Sequence, residues 1–166
     1  MPELPEVESL VVGLRPCLVG RRVVGVEIRW PGAIATPAPE VFTRALCGRT
    51  ITAVERRGKF LSFALPPDTL LVHLRMTGRL QARDLPDPLL EQDPHTHARL
   101  ILDDGLRLYY SDVRKFGRLY LVADAAQVTG GLGPEPLADD FTVEAWAERL
   151  NVHRRQLKPL LLEQRF

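Results

Sequence analysis

Two prolines and three carboxylates crowd the first eight residues, MPELPEVE. A methionine followed by a small residue is commonly trimmed from a nascent chain, which leaves the secondary amine of Pro2 as the terminal group. A reference α-amino group titrates near 8, so a useful fraction is an uncharged nucleophile at neutral pH. Its addition to a carbonyl carbon, with loss of water, gives an iminium of fixed positive charge, an electron sink that needs no further proton. Glu3 is near enough by covalent geometry to move protons at the bond that the amine attacks. The same residues also make an ordinary helix start whose carboxylates match the positive end of the dipole. From these residues alone both readings stand.

A second candidate is Lys59, in Arg57-Gly58-Lys59 between two alternating runs. A lysine at a hairpin tip projects into a groove, where its cation can meet a phosphate or a leaving group; it can equally be a solvated turn lysine. Cations gather in three places: Arg56, Arg57 and Lys59; Arg114, Lys115 and Arg118; Arg154, Arg155 and Lys158. The formal net charge is only +1, so a case for nucleic acid must rest on such local clusters. His95-x-His97 could be half a metal site, but no further ligand is evident. Cys17 and Cys47 form no CxxC and read as buried thiols.

These groups need a scaffold, and 166 residues suffice for one well-filled domain or one domain plus a piece of another. With 45% hydrophobic and 26% charged residues, disorder throughout is excluded. No apolar run approaches the roughly 18 residues of a membrane span and no signal peptide precedes the body, so a cytosolic location is expected.

Val7, Leu10, Val11 and Leu14 recur at helical spacing from about residue 5, with Arg15-Pro16 ending the run. Alternation from Arg22 to Trp30 predicts a strand with Val24, Val26, Ile28 and Trp30 on one face. A Pro-rich link leads to a helix carrying Val41, Phe42, Ala45 and Leu46, closed by Gly48. TITAVERR and FLSFAL predict a hairpin turning at Gly58. LLVHLRM predicts a strand with Leu70, Val72, Leu74 and Met76 on one side and Leu71, His73 and Arg75 on the other. LILDDGLRLYY predicts a hairpin about Asp104-Gly105, and GRLYLV a further strand. After the breaker region GGLGPEPLADD the chain turns helical through VEAWAERL and RRQLKPLLLEQRF. The expected architecture is mainly β with flanking helices: a two-sheet antiparallel β-sandwich over residues 1–133, then an incomplete helical domain over 134–166.

PELPEVE at the extreme N-terminus resembles the signature of the formamidopyrimidine-DNA glycosylases, bifunctional base-excision enzymes of the helix-two-turn-helix superfamily. The resemblance continues through RRGKFL, VHLRMTGRL, HTHARL, DVRKFG, LGPEPLADDF and QLKPLLLEQ, so it covers essentially the whole chain in order. It implies that Pro2 attacks C1′ of a damaged nucleotide, forms a Schiff base and cuts the strand by β,δ-elimination, with Glu3 as the acid/base carboxylate and Lys59 as proton donor and phosphate or lesion contact. It assigns Met76, Arg114 and Phe116 to the gap left by the extruded nucleotide. For Met76 the strand parity shared with Val72 and Leu74 suggests plain core instead. It assigns DNA-phosphate contacts to His73, His95, Arg154 and Lys158, and groups Arg114 with the DNA-binding residues.

Relatives continue past Phe166 into a glycine-rich turn and a four-cysteine zinc finger, so no zinc or other cofactor is expected in this chain. A fragment is the favoured explanation, because the face bearing Leu160, Leu161 and Leu162 lacks its helical partners. The expected partner is damaged double-stranded DNA, bound by a monomer. The competing class is a catalytically inactive DNA-binding or damage-sensing module; a retained Met1 would lock the Pro2 nitrogen in a peptide bond and abolish lyase chemistry. A tautomerase using an N-terminal proline as general base would place that proline at the head of a strand, whereas here a helix follows.

Overall fold

The computed structural model describes residues 2–166, and Met1 lies outside them. The chain divides into two compact units between Ala125 and Ala126. The first opens with α1 (Leu4–Leu18), whose Val7, Val11, Leu14 and Leu18 form a buried stripe. Burying each such side chain contributes roughly 1.5–3 kcal/mol. Pro5 occupies the first turn, where a missing N–H costs nothing. Pro16 does not end the helix as expected. The chain stays helical to Leu18, which is fully buried, and the Val19 N–H closes the end on the Arg15 carbonyl at 3.1 Å.

Two sheets form the sandwich. The four-stranded sheet has the order β1-β7-β8-β6, from β1 (Val23–Ile28), β6 (Gly78–Arg83), β7 (Thr96–Leu102) and β8 (Arg107–Asp112). The five-stranded sheet has the order β2-β9-β5-β4-β3, from β2 (Ile34–Thr36), β3 (Ala53–Arg57), β4 (Phe60–Leu65), β5 (Asp68–His73) and β9 (Arg118–Val122). All pairings are antiparallel except β2 with β9. The core joins Phe63, Leu65, Leu70, Val72 and Leu119 of one sheet with Ala98, Leu100, Leu108 and Tyr110 of the other. The α-helix α2 (Pro39–Leu46) adds Phe42 and Leu46, and Gly48 turns the chain away at φ +84.

Several local expectations change. A bulge between Val23 and Gly25 breaks the parity of β1, so that Val23 is buried and Val24 exposed. β2 and β6 carry no strong alternation in the sequence and are set by their partners β9 and β8. β5 ends at His73, and Arg75 has φ +55, so Met76 leaves the strand parity of Val72 and stands 43% exposed. A short helix α3 (Pro88–Gln92) lies against the four-stranded sheet. Its Glu91 accepts from Arg107 Nη1 and the Tyr109 hydroxyl, each at 2.7 Å, and also pairs with Arg29 and Arg99.

The second unit contains α4 (Ala126–Thr129), α5 (Val143–Asn151) and α6 (Leu157–Leu161). Thr142 caps α5 by accepting from the Ala145 N–H at 3.2 Å. Phe141, Trp146, His153 and Phe166 make edge-to-face contacts at 5.2–5.7 Å between ring centres. The expected long last helix is a single short one. Leu162 and Glu163 donate to carbonyls three residues back, and this tighter winding ends the helical ladder.

At Gly117 a Cβ would collide with the Tyr110 hydroxyl and lie 3.0 Å from the His73 carbonyl, whereas at Gly13, inside α1, it would meet nothing within 4 Å. Gly117→Ala is therefore expected to lose about 1–3 kcal/mol of stability, and Gly13→Ala to gain about 0.5–1 kcal/mol. Urea unfolding midpoints of the two variants test both signs.

Candidate active site

The start of α1 is placed by contacts along its length. Arg15 Nε donates to the Val54 carbonyl of β3 at 2.9 Å, and Arg56 Nε pairs with Glu8 Oε2 at 2.7 Å. Arg56, with its side chain 4% exposed, also donates from Nη1 to the Gly58 carbonyl at 3.0 Å. This arginine is a brace between helix and hairpin rather than part of a surface cluster. Gly58 adopts φ +57 in the turn joining β3 and β4, the left-handed conformation that glycine adopts without strain.

That bracing brings Lys59 to the start of α1, where its Nζ pairs with Glu3 Oε2. Glu3 is the helix N-cap, and its N–H donates to Glu6 Oε2 at 3.0 Å. Pro2, half-buried, immediately precedes it. An N-terminal position, a carboxylate and an ammonium are thus neighbours, with the carboxylate's orientation set by both the cap and the lysine. In water such an exposed pair contributes little to stability. It does fix where a carboxylate and an ammonium stand.

His73 ends β5 and is buried at 4% exposure, facing Phe60 across the strand pair with ring centres 4.6 Å apart. The Arg75 N–H donates to its Nδ1 at 3.0 Å, so a neutral ring carries its proton on Nε2. Burial, together with the charges of Arg75 and Lys59, holds its pKa down at about 4. Any contact it makes with phosphate at neutral pH is therefore that of a neutral donor. His95 is half-buried, and its carbonyl accepts from the Asp112 N–H at 2.9 Å. His97 is buried with Nε2 on the Asp112 carbonyl at 2.7 Å and its ring 5.1 Å from that of Trp30. Among the described residues no three His, Cys, Asp or Glu side chains gather as a metal site.

Met76, Arg114 and Phe116 come together from separate loops. Arg114 Nη1 donates to Met76 Sδ at 3.1 Å, and the guanidinium lies 4.7 Å from the centre of the Phe116 ring. Met76 and Phe116 are 43% and 48% exposed, an apolar pair displayed in solvent around a cation. In the same loop region Lys115 and Arg118 stack over Trp30 at 5.3 and 5.5 Å. In the second unit Arg154 and Lys158 are exposed, while Arg155 pairs with Glu163.

Two contributors escaped the sequence reading, Asp112 and Thr77. Asp112 is buried and accepts from the Thr77 hydroxyl, the Gly117 N–H at 2.7 Å and the Arg114 N–H at 3.1 Å. Burial alone would raise its pKa, but these hydrogen bonds and one from the Phe116 N–H outweigh that and pull it below the usual carboxylate range. The available signal was an aspartate two residues before Arg114 and five before a glycine, the spacing of an Asx turn.

The His73 shift sets a pH dependence. Unfolded, the ring titrates near 6.5; folded, near 4. Between those values the unfolded chain binds the extra proton, so stability falls as pH drops from 6.5 to 4, by up to roughly 3 kcal/mol, and is fully present above 6.5. His73→Gln, which cannot titrate, should show a shallower loss in that window by urea titration at pH 7 and 4.5. Equal slopes in both proteins would show that the neutral buried ring is not the source.

With this geometry in view, the chain matches the model of the formamidopyrimidine-DNA glycosylase N-terminal domain over residues 1–119. It is 48% identical over 170 residues to the formamidopyrimidine-DNA glycosylase of Moorella thermoacetica and 42% identical over 168 residues to that of Protochlamydia amoebophila. These alignments take in 99% and 100% of this chain and 61% and 60% of the relatives, so it spans about three fifths of their length. A crystal structure of the Lactococcus lactis enzyme non-covalently bound to DNA containing an AP site superposes with a TM-score of 0.85 at 34% identity, covering 99% of this chain and 63% of that one. Another Lactococcus lactis complex, with DNA containing FAPY-dG, gives the same TM-score over 98% and 62%. On sequence, sandwich topology and the run of motifs from Pro2 to Gly117, the chain belongs to the formamidopyrimidine-DNA glycosylase family.

Proposed function

We propose that this chain carries the catalytic half of a bifunctional DNA glycosylase and AP lyase that excises oxidised purines, formamidopyrimidine and 8-oxoguanine, in base excision repair. The observation that carries the reading is the Lys59–Glu3 ion pair beside Pro2. It supports a reading in which the carboxylate and the cation serve the amine of Pro2 once Met1 is removed. Solved relatives hold DNA with an AP site or FAPY-dG, substrates suited to such chemistry.

In this mechanism the Pro2 nitrogen forms a bond to C1′ as the base departs with the glycosidic electron pair and a proton. Ring opening of the sugar gives the iminium. Electron withdrawal by that iminium acidifies the neighbouring C2′ proton, and β- then δ-elimination expels the two phosphates. Glu3 moves protons at the amine and sugar, and Lys59 meets a phosphate or the lesion. Met76, Arg114 and Phe116 fill the gap left by the extruded nucleotide, offsetting part of the few kcal/mol that flipping costs. His73, His95, Arg154 and Lys158 are assigned to the DNA backbone, which sets register without reading sequence. The helical segment from residue 134 begins the DNA-binding domain, the protein works as a cytoplasmic monomer, and no zinc is assigned to this chain. No helix of the described residues is long and apolar enough to cross a membrane.

Borohydride reduction of the iminium converts it to a stable covalent adduct, which tests the proposal directly. Chain shown by mass to start at Pro2 should trap an abasic duplex, and chain retaining Met1 should not. Glu3→Gln in the Pro2-initiated protein should slow trapping by about 100-fold or more. No adduct from Pro2-initiated protein would favour the inactive DNA-binding module.

A further inference from the structure

Asp112 has every polar group engaged. Its side chain accepts from Thr77, from the Arg114 and Gly117 N–H groups and, at 3.4 Å, from the Tyr110 hydroxyl. Its N–H donates to the His95 carbonyl at 2.9 Å, and its carbonyl accepts from His97 Nε2 at 2.7 Å and from the Lys115 N–H at 3.3 Å. Three of these partners matter most. Thr77 follows Met76 in the turn between β5 and β6. Arg114 is itself one of the exposed trio, and Gly117 follows Phe116. The Thr77 hydroxyl in turn accepts from the Arg114 N–H at 3.1 Å, which closes a ring of contacts beneath the three exposed side chains.

We infer that Asp112 is a positioning residue that holds Met76, Arg114 and Phe116 as one preorganised unit, so that two loops insert into the duplex together. A buried carboxylate is stable only when its acceptor sites are filled, so it stays with this set of donors. The donors come from both loops, so neither loop can move far without leaving a buried charge short of partners. Gly117 contributes by its lack of a side chain, since it approaches the Tyr110 hydroxyl and the His73 carbonyl more closely than a Cβ permits. Lys115, at φ +59, turns the chain so that Arg114 and Phe116 flank the same spot. The order this gives is established before DNA arrives, which lowers the ordering cost of insertion. The inference rests on the wedge role assigned to the trio above, but the coupling of the two loops can be measured without DNA.

Asp112→Asn keeps the shape and replaces one acceptor oxygen by a donor, leaving backbone N–H groups facing an NH₂. Thr77→Val removes only the hydroxyl and serves if the first variant folds poorly. Amide hydrogen exchange should accelerate at least tenfold both in residues 75–77 and in 113–117 in either variant, while amides of β4 keep their rates. In parallel, the ratio of borohydride trapping on an abasic duplex to trapping on the same abasic single strand should fall at least tenfold. Exchange that accelerates in one loop only, or an unchanged trapping ratio from a wild-type protein that does trap, overturns the inference. Should wild-type protein shown by mass to start at Pro2 trap neither substrate, the enzymatic reading fails and the exchange rates alone decide whether Asp112 couples the loops.

Discussion

The rotation and axial position of α1 are the constraint on which the site depends. A helix can present its first residue almost anywhere unless its sides are fixed. Here the stripe Val7, Val11, Leu14 and Leu18 fixes the rotation by burial. The bonds Arg15 to Val54 and Arg56 to Glu8 fix the slide along β3. Only then does the chain's beginning fall beside Lys59, a residue more than fifty positions away in sequence. Apolar burial supplies most of the energy; the two arginine contacts supply the precision.

Close to this anchor the fold handles two ionisable groups in opposite ways. Asp112 is kept charged because hydrogen-bond donors surround it, whereas His73 is kept neutral because burial and two neighbouring cations oppose its proton. Both residues are buried at sheet ends, where loops leave the sandwich. The outcome is a set of satisfied polar groups that tie the loops displaying Met76, Arg114 and Phe116. Exposed apolar side chains of this size normally cost a protein in solubility, and here two of them cluster about one guanidinium.

Charge is distributed in the same economical manner. The net charge of +1 hides the fact that arginines of the basic runs do different work. Arg56 is internal bracing, Arg118 stacks on Trp30, and Arg114 faces outward with Phe116. A basic run is therefore a poor guide to a basic surface until the neighbours are known.

The sequence by itself determined the type of most elements and named the candidate site residues. Periodicity gave α1, the two hairpins and β9, because burial on one face imposes a repeat of 3.6 or 2 whatever the partner is. Gly58 and Gly105 marked turns because their backbone conformations disfavour side chains. The terminal proline and its carboxylate were legible because their chemistry is local. Tertiary structure alone decided what depends on neighbours distant in the chain. It set the pairing of Lys59 with Glu3, the removal of Met76 from strand parity, the placing of β2 and β6 by their partners, and the part played by Asp112 and Thr77. A hydrogen bond between residues 35 apart leaves no period to read, since its energy depends on geometry created by the packed sheets.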